Sequence, residues 1–386
     1  MNPITLLQPP RIGFGNGCAP QCADHLAALG TKRVLVVSST PVLPTIGAVL
    51  TALDAAGVTA IHASCVDHEP TCGLFEQVLA AARVERVDGV LGIGGGSAID
   101  VAKLVAALHD GGQSVREVFG IGLLRRRSLP LVCLPTTAGT GAEVSPNAIL
   151  LDEGDELKKG VVSPHLVPDA AYVDPWLTIS VPPAVTAATG LDALTHCIEA
   201  YANQHSHPIV DTWALQGIRL IAGHLARAVR NGGDMEARGA LALGSLYGGL
   251  CLGPVNTAAV HALAYPLGGK YHIAHGVANS LLLPHVLRFN LPAAPQRYAG
   301  IAAALGVAPN DSATRMAEQG VEFLTRLSAA CGVPQNLSAL GIAREEIPGL
   351  AASAMKVTRL LANNLRPMTE ADAARIYEAA YGIQNE

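Results

Sequence analysis

Residues 87–103 read VDGVLGIGGGSAIDVAK, an apolar run that ends in glycines and a serine and continues into good helix formers. The run is short and rich in β-branched residues, which is typical of a buried strand. Glycines after a strand allow positive φ and let a ligand approach the backbone, while the start of the next helix presents free N–H groups. This order of elements predicts an α/β domain with a diphosphate site at the strand's carboxyl end.

Two runs of the same kind, KRVLVVSST (32–40) and PLVCLPTT (130–137), precede and follow this stretch, with helix-length segments between them. The alternation predicts a parallel sheet covered by helices. From Thr186 onward, Ala- and Leu-rich segments with helical spacing replace the β-branched runs. We therefore predict an open parallel-sheet, dinucleotide-binding α/β domain over residues 1–178 and an all-helical metal-binding domain over 179–386.

Composition excludes several classes of function for these 386 residues. The formal net charge of −5 provides no basic field, so neither nucleic acid nor a membrane surface is an expected partner. Eight scattered cysteines without a Cys-x-x-Cys pair, and an N-terminus without a signal-peptide pattern, predict a cytoplasmic protein. Residues 239–269 lack Asp, Glu, Lys and Arg, but their glycines and prolines favour buried helices over a membrane span.

A second glycine-rich segment, PTTAGTGAE (135–143), closes another predicted strand with hydroxyls and bare amides. Such a segment suits phosphate, ribose or amide contacts, although it could equally be an ordinary turn. The GGGS segment is open to the same alternative, because Ser97 stands where the strict Rossmann fingerprint has its third glycine. Asp100 follows Ser97 by three residues, a spacing that fits a helix-end stabiliser as well as a ligand.

The third chemistry-bearing segment contains Asp192 and His196, whose spacing of four places both on one face of a helix. His261 lies in the uncharged stretch, where a buried imidazole needs a polar partner. His275 is followed by a glycine that allows a tight backbone. One carboxylate and three imidazoles suit Fe²⁺, Zn²⁺ or another borderline divalent ion, although each histidine taken alone could be structural.

The ordered set of motifs resembles the iron-containing (group III) alcohol dehydrogenase family of the dehydroquinate synthase-like superfamily. The segments that carry the resemblance are GGGSAID (94–100), PTTAGTGAEVSP (135–146), GLDALTHCIEAY (190–201), VHALAYPLGGKYHIAHGVANSLLLPHVLRFN (260–290) and LRPMTEADAARIYEAAY (365–381). The resemblance implies a metal-dependent, NAD(P)-linked dehydrogenase that transfers hydride between nicotinamide and a small, neutral alcohol or aldehyde. It also implies a homodimer or a larger homo-oligomer.

Site residues follow from the resemblance position by position. The implied ligands of Fe²⁺, or of Zn²⁺, are Asp192, His196, His261 and His275. The implied cofactor-binding residues are Gly95, Gly96, Ser97, Asp100, Thr136, Thr137, Thr140 and Lys159.

The chain departs from the family pattern at two places. Many members carry an aspartate for the adenosine ribose where this chain has Ser38 and Ser39. The serines predict that NADPH is accepted at least comparably to NADH, unless the fold brings another acidic group to this edge. Many members also have a histidine beside the substrate where this chain has Tyr265. Tyr265 and His272 are therefore the candidates for a proton relay, or else they form the pocket wall and pack helices.

Other activities within the superfamily remain as alternatives. A maleylacetate reductase-like or polyol dehydrogenase specificity would keep the same reaction class. A dehydroquinate synthase-like lyase would return the hydride within one turnover and bind a phosphorylated polyanion. Between Arg238 and Arg288 only Lys270 is cationic, which disfavours both an anionic dicarboxylate and the polyanion.

Overall fold

The computed structural model describes residues 3–155 and 157–382. Chain contacts divide it into one compact unit over Leu6–Val181 and another that combines residues 3–5 with the chain from Pro182 onward. The strands of the first unit are β1 (Arg11–Phe14), β2 (Arg33–Ser38), β3 (Thr59–Ser64), β4 (Gly89–Gly94), β5 (Gly120–Ile121), β6 (Leu131–Pro135), β7 (Asn147–Asp152), β8 (Leu157–Val162) and β9 (Ala170–Val173). Its helices are α1 (Cys22–Ala28), α2 (Gly47–Ala55), α3 (Cys72–Val84), α4 (Gly96–Leu108) and α5 (Val115–Val118).

Six strands form a sheet in the order β1-β9-β6-β4-β2-β3, and every pairing in it is parallel. Alternate residues of β2 enter different cores: Val34 and Val36 pack on one face of the sheet, and Leu35 and Val37 pack on the other. Burial on both faces explains the continuous apolar runs. The predicted parallel α/β domain is thus confirmed.

A smaller sheet in the order β5-β8-β7 lies in the same unit and was not predicted from the sequence. Strands β7 and β8 pair antiparallel, and β5 contributes only Gly120 and Ile121. A two-residue strand has no periodicity to recognise, and β7 and β8 look like parts of a long loop between apolar segments.

The second unit is helical throughout the part that the structure describes. Its helices are α6 (Pro183–Tyr201), α7 (Pro208–Arg230), α8 (Met235–Leu252), α9 (Ala259–Tyr271), α10 (His275–Asn290), α11 (Pro295–Ala304), α12 (Ala313–Ala330), α13 (Ile347–Ala354), α14 (Thr358–Leu361) and α15 (Glu370–Tyr381). The stretch without charged residues forms most of α8 and α9, which are separated by a loop. Among the described residues, no helix combines the length and the apolar character needed to cross a bilayer.

Candidate functional site

The two glycine-rich segments lie side by side at the carboxyl ends of the neighbouring strands β4 and β6 of the main sheet. Strand β4 pairs with β2 on one side and β6 on the other, and Gly94 at the end of β4 is in register with Pro135 at the end of β6. The Thr136 N–H donates to Gly94 O over 2.9 Å. Because carboxyl ends of parallel strands form the ligand edge of such sheets, this contact joins both segments into one candidate cofactor surface.

Close packing, rather than unusual backbone geometry, explains the glycines after β4. Gly94, Gly95 and Gly96 are absent from the residues with positive φ, contrary to the conformational expectation from the sequence. A Cβ on Gly94 would lie 2.7 Å from Ala98 Cβ, and a Cβ on Gly96 would lie 2.6 Å from Thr140 Cγ2. A Cβ on Gly95 would lie 3.4 Å from Thr137 Oγ1, which is an ordinary contact distance. The bare backbone leads directly into α4, whose first N–H groups form a binding site suited to a phosphate.

Asp100 and Lys103 tie α4 to the segment that follows the second glycine-rich turn. The Asp100 carboxylate accepts from the Ile149 N–H at 3.0 Å. The buried Lys103 ammonium donates to Ser145 O and Asn147 O at 2.7 and 2.8 Å. Burial raises the pKa of Asp100 to about 7, against the opposing effects of Lys103 and the Ile149 N–H. Both side chains therefore have a structural role beside the candidate cofactor surface.

Lys159 lies on β8, where two carboxylates hold its ammonium group. It donates to Asp152 Oδ2 over 2.7 Å and also to Asp155. These hydrogen bonds raise the pKa of Lys159. A contact of Lys159 with a ribose or a phosphate stays a prediction, as does the role of Ser39, which is half-buried just after β2.

The four predicted metal ligands converge on one carboxylate oxygen in the helical unit. Asp192 and His196 lie on α6, His261 lies on α9, and His275 is the first residue of α10. Asp192 Oδ1 is 3.9 Å from His196 Nε2, 3.6 Å from His261 Nε2 and 3.7 Å from His275 Nε2. Ligand atoms about 2.1 Å from one shared ion are roughly 3–4 Å apart. The ligand atoms of Asp192, His261 and His275 also lie within 4.8 Å of one another, so these three donors fit a single divalent cation, with His196 adjoining them.

The charges around this cluster also favour a cation. Burial alone would raise the pKa of Asp192, but the imidazoles of His196, His275 and His261 hold it well below its usual range. Burial alone would lower the pKa of His261, but Glu199 and Asp192 raise it to about 9. Asp192 and His261 are each only 3% exposed. Two buried carboxylates thus stabilise positive charge on the buried ring, as they would beside a divalent ion.

Glu199 is a functional residue that the sequence reasoning missed. Its Oε2 lies 2.5 Å from His261 Nδ1, and its Oε1 accepts from the Val260 N–H over 2.6 Å. This pairing directs the opposite ring nitrogen, Nε2, towards Asp192 and fixes the tautomer that a metal ligand needs. The available signal was the spacing of Asp192, His196 and Glu199, which places all three on one helix face.

Asn279 lies one turn after His275 and was also missed. Its Nδ2 is 2.7 Å from Asp192 Oδ1 and 3.1 Å from Nε2 of both His261 and His275. Its Oδ1 is buried and has no hydrogen-bond partner among the described residues. The amide thus directs its donor group at the lone pairs of three candidate ligands, an arrangement that again indicates a preference for positive charge at this point.

Close contact between α6 and α10 explains the glycine after His275. A Cβ on Gly276 would lie 2.0 Å from Ala188 O, a backbone atom that cannot rotate away. Gly276 therefore sets the distance at which α10 presents His275 to the ligands on α6.

The two candidate relay residues differ in position. The ring centroid of Tyr265 lies 6.1 Å from the ring centroid of His275, so the structure brings Tyr265 next to the candidate metal ligands. His272 is exposed and ends α9 in the left-handed conformation, with φ of 54°. A proton-transfer role for either residue stays a prediction.

Comparison with known proteins matches both halves of the chain to one family. Residues 9–175 match the model described as iron-containing alcohol dehydrogenase, and residues 186–381 match that of the Fe-containing alcohol dehydrogenase family, C-terminal. The chain belongs to the iron-containing alcohol dehydrogenase family. The resemblance seen in the motifs is therefore confirmed.

Relatives of this iron-containing alcohol dehydrogenase align over nearly its full length. Long-chain-alcohol dehydrogenase 1 of Geobacillus thermodenitrificans is 41% identical over 99% of this chain and 98% of its own. The 1,3-propanediol dehydrogenase of Klebsiella pneumoniae is 36% identical over 95% and 96%, respectively. Among solved structures, a 1,3-propanediol oxidoreductase superposes with a TM-score of 0.95 at 34% identity, covering 98% of this chain and all of its own.

These relatives confirm the predicted class of reaction. The protein is an oxidoreductase, and its relatives support a metal-dependent, NAD-linked interconversion of alcohols and aldehydes. The lyase alternative has no support among the relatives described above. The structural neighbours also confirm the fold, an α/β nucleotide-binding unit followed by a helical unit.

Proposed function

We propose that Asp192, His196, His261 and His275 bind the metal ion of this dehydrogenase, Fe²⁺ or Zn²⁺. The observation that carries the proposal is the convergence of three imidazole nitrogens on Asp192 Oδ1 in a buried cluster. Such an ion, when bound, supplies the Lewis acid that polarises an alcohol or aldehyde oxygen.

The residues around the cluster orient the ligands and restrict water. Glu199 keeps the tautomer of His261 fixed, and the burial of Asp192 and His261 excludes bulk water from one side. The side chain of His275 is 30% exposed, so we place substrate entry on its side of the cluster. Tyr265 would form part of the wall of this substrate entrance. A proton released from the alcohol would leave by way of Tyr265 or His272.

For the cofactor, we propose that NAD(P) binds at the carboxyl edge of the main sheet. Gly95, Gly96 and Ser97 at the start of α4 would hold the diphosphate, because the bare backbone and the helix dipole suit an anion. The threonines of the second glycine-rich turn, Thr136, Thr137 and Thr140, would line the rest of the cofactor. Ser39 would face the adenosine ribose, and Lys159 would reach a ribose or a phosphate. Asp100 would act indirectly by holding α4 in place.

We propose a small neutral alcohol or aldehyde as the substrate. The single cation between Arg238 and Arg288 is Lys270, and its ammonium group pairs with Glu346. An anionic substrate would therefore find little free positive charge on these helices. This argues against a maleylacetate reductase-like specificity, whereas a polyol dehydrogenase specificity stays open.

We further propose a cytoplasmic homodimer. All eight cysteines are free, which fits a reducing compartment. Strand β1 is at the edge of the main sheet, and Phe14 on it is 42% exposed. An edge strand with an exposed aromatic residue is a surface on which a second copy can pair. Light scattering that gave the mass of one chain would contradict this proposal.

The ligand assignment is tested by the variants His261→Ala and His275→Ala. We expect each to lose bound divalent metal, measured by elemental analysis, together with aldehyde reduction, because a site with three ligands retains the ion poorly. The control is His205→Ala, an exposed histidine of the same unit. Full metal content and full activity in either ligand variant would refute the assignment.

A further inference from the structure

The carboxylate of Asp67 bonds to the segment that follows strand β2. Its Oδ1 accepts from the Thr40 N–H over 2.7 Å, and its Oδ2 accepts from Thr40 Oγ1 over 2.9 Å. Asp67 comes three residues after the end of β3, which pairs in parallel with β2 up to Ser38 and Ser64. Two hydrogen bonds thus hold an exposed aspartate of the β3 loop beside Ser39.

This position matters because of the strand order. Strand β2 adjoins β4, which carries the glycine-rich turn at its carboxyl end. In dinucleotide-binding sheets, the strand next to the glycine-rich strand ends beside the adenosine ribose, and an acidic side chain there bonds the 2′-hydroxyl. Strand β2 of this chain ends in Ser38 and Ser39, which carry no charge. The Asp67 carboxylate, in the loop after β3, places a negative charge beside the carboxyl end of β2.

The charge of Asp67 is not neutralised by a cation among the described residues. Its two hydrogen-bond donors, the N–H and the hydroxyl of Thr40, are neutral. None of the ion pairs among the described residues includes Asp67. Glu69, two residues further along the same loop, differs because it pairs with Lys158. Asp67 is therefore the carboxylate of this loop that presents an uncompensated charge.

We infer that Asp67 sets the cofactor preference of this enzyme by repelling a 2′-phosphate, so that NADH is preferred over NADPH. The inference rests on the proposed cofactor site and replaces the expectation drawn from Ser38 and Ser39 alone. The carboxylate can accept a hydrogen bond from a ribose 2′-hydroxyl through its remaining lone pairs, whereas a 2′-phosphate meets like charge. Since Asp67 is exposed, salt should weaken the repulsion.

The test compares Asp67→Asn with Asp54→Asn in the full-length enzyme. Asp54 is an exposed aspartate near the carboxyl end of α2, so its variant makes the same change in net charge elsewhere in the same unit. Calorimetry would measure the binding of ADP and of adenosine 2′,5′-bisphosphate, independently of the metal and the alcohol. Steady-state kinetics with NADH and NADPH would follow the same discrimination in turnover.

For the wild type we expect kcat/KM with NADH to exceed that with NADPH roughly tenfold or more. Asp67→Asn should tighten the bisphosphate and NADPH about tenfold at low salt, and less at 0.5 M salt, while ADP binding stays within about threefold. Asp54→Asn should change neither ratio. An unchanged NADH-to-NADPH ratio in Asp67→Asn, or a wild type that prefers NADPH, would overturn the inference. Loss of ADP and NADH binding in every protein, wild type included, would instead refute the proposed cofactor site.

Discussion

At the scale of single residues, Glu199 is the side chain whose removal tests how the metal site is organised. Glu199→Gln keeps the size of the side chain but removes the charge that faces His261 Nδ1. We expect the affinity for divalent metal to fall about 10- to 100-fold, because partners of this kind orient the ligand and raise its basicity.

Competition with graded concentrations of a chelator would measure that loss. The matched control is Glu322→Gln, an exposed glutamate on α12, which should retain the metal like the wild type. Equal retention in Glu199→Gln and in the control would show that Glu199 only fills space next to His261.

The four candidate ligands could be named from the sequence, whereas the groups that contact them could not. The spacing of four residues indicates Asp192 and His196, and the family motifs indicate His261 and His275. Asn279 looks like an ordinary polar helix residue, and only the approach of α10 to α6 and α9 brings its amide onto three ligands. Contacts between distant segments are set by tertiary packing, which a linear pattern does not encode.

At the scale of elements, the start of α4 is where the proposed cofactor site can be tested. Gly95→Val would place a branched side chain in the space between the two glycine-rich turns, where even its Cβ would lie 3.4 Å from Thr137 Oγ1. We expect ADP binding to weaken at least about tenfold, because the diphosphate needs a bare backbone at this point.

Calorimetry with ADP would check this change against Gly47→Val. Gly47 begins α2, and a Cβ there would meet nothing within 4 Å, so this variant should bind ADP normally. Wild-type ADP affinity in Gly95→Val would show that the turn serves the fold alone.

The contact between α6 and α10 provides a second test at this scale. Gly276→Ala would force a methyl group against Ala188 O, at 2.0 Å in the present geometry, so α10 must shift and carry His275 with it. We expect a loss of about 1–3 kcal/mol in the free energy of unfolding, measured by denaturant titration, and weaker metal binding.

The comparable variant is Gly239→Ala in α8, where a Cβ would meet nothing within 4 Å. It should leave stability unchanged or raise it slightly, because alanine is the better helix former. A Gly276→Ala protein as stable as this control would contradict the packing argument.

The predictability of the elements follows their sequence pattern. Strands β2, β4 and β6 carry apolar, β-branched-rich runs that were recognised in the sequence, and the long helices have a clear period. The β5-β8-β7 sheet was missed because β5 has only two residues, and because β7 and β8, although six residues long, contain charged side chains and pair antiparallel. The loop that carries Asp67 was missed for a related reason, since its partner Thr40 lies 27 residues earlier in the chain.

At the scale of the whole molecule, the central claim is that one divalent ion per chain, held by Asp192, His196, His261 and His275, is needed for activity. Family membership supports the need for a metal. The ligand atoms of Asp192, His261 and His275, which lie within 4.8 Å of one another, provide the place for it, and His196 Nε2 lies 3.9 Å from Asp192 Oδ1. The chain should survive removal of the ion and regain activity when the ion returns.

The most direct measurement is to strip the purified enzyme with a chelator, add Fe²⁺ back in steps without oxygen, and follow aldehyde reduction with NADH. We expect activity to be lost on stripping, to rise in proportion to added metal, and to stop rising at about one ion per chain. Zn²⁺ added in the same way tests the second metal. Full activity in stripped protein that holds less than about a tenth of an ion per chain would contradict the account.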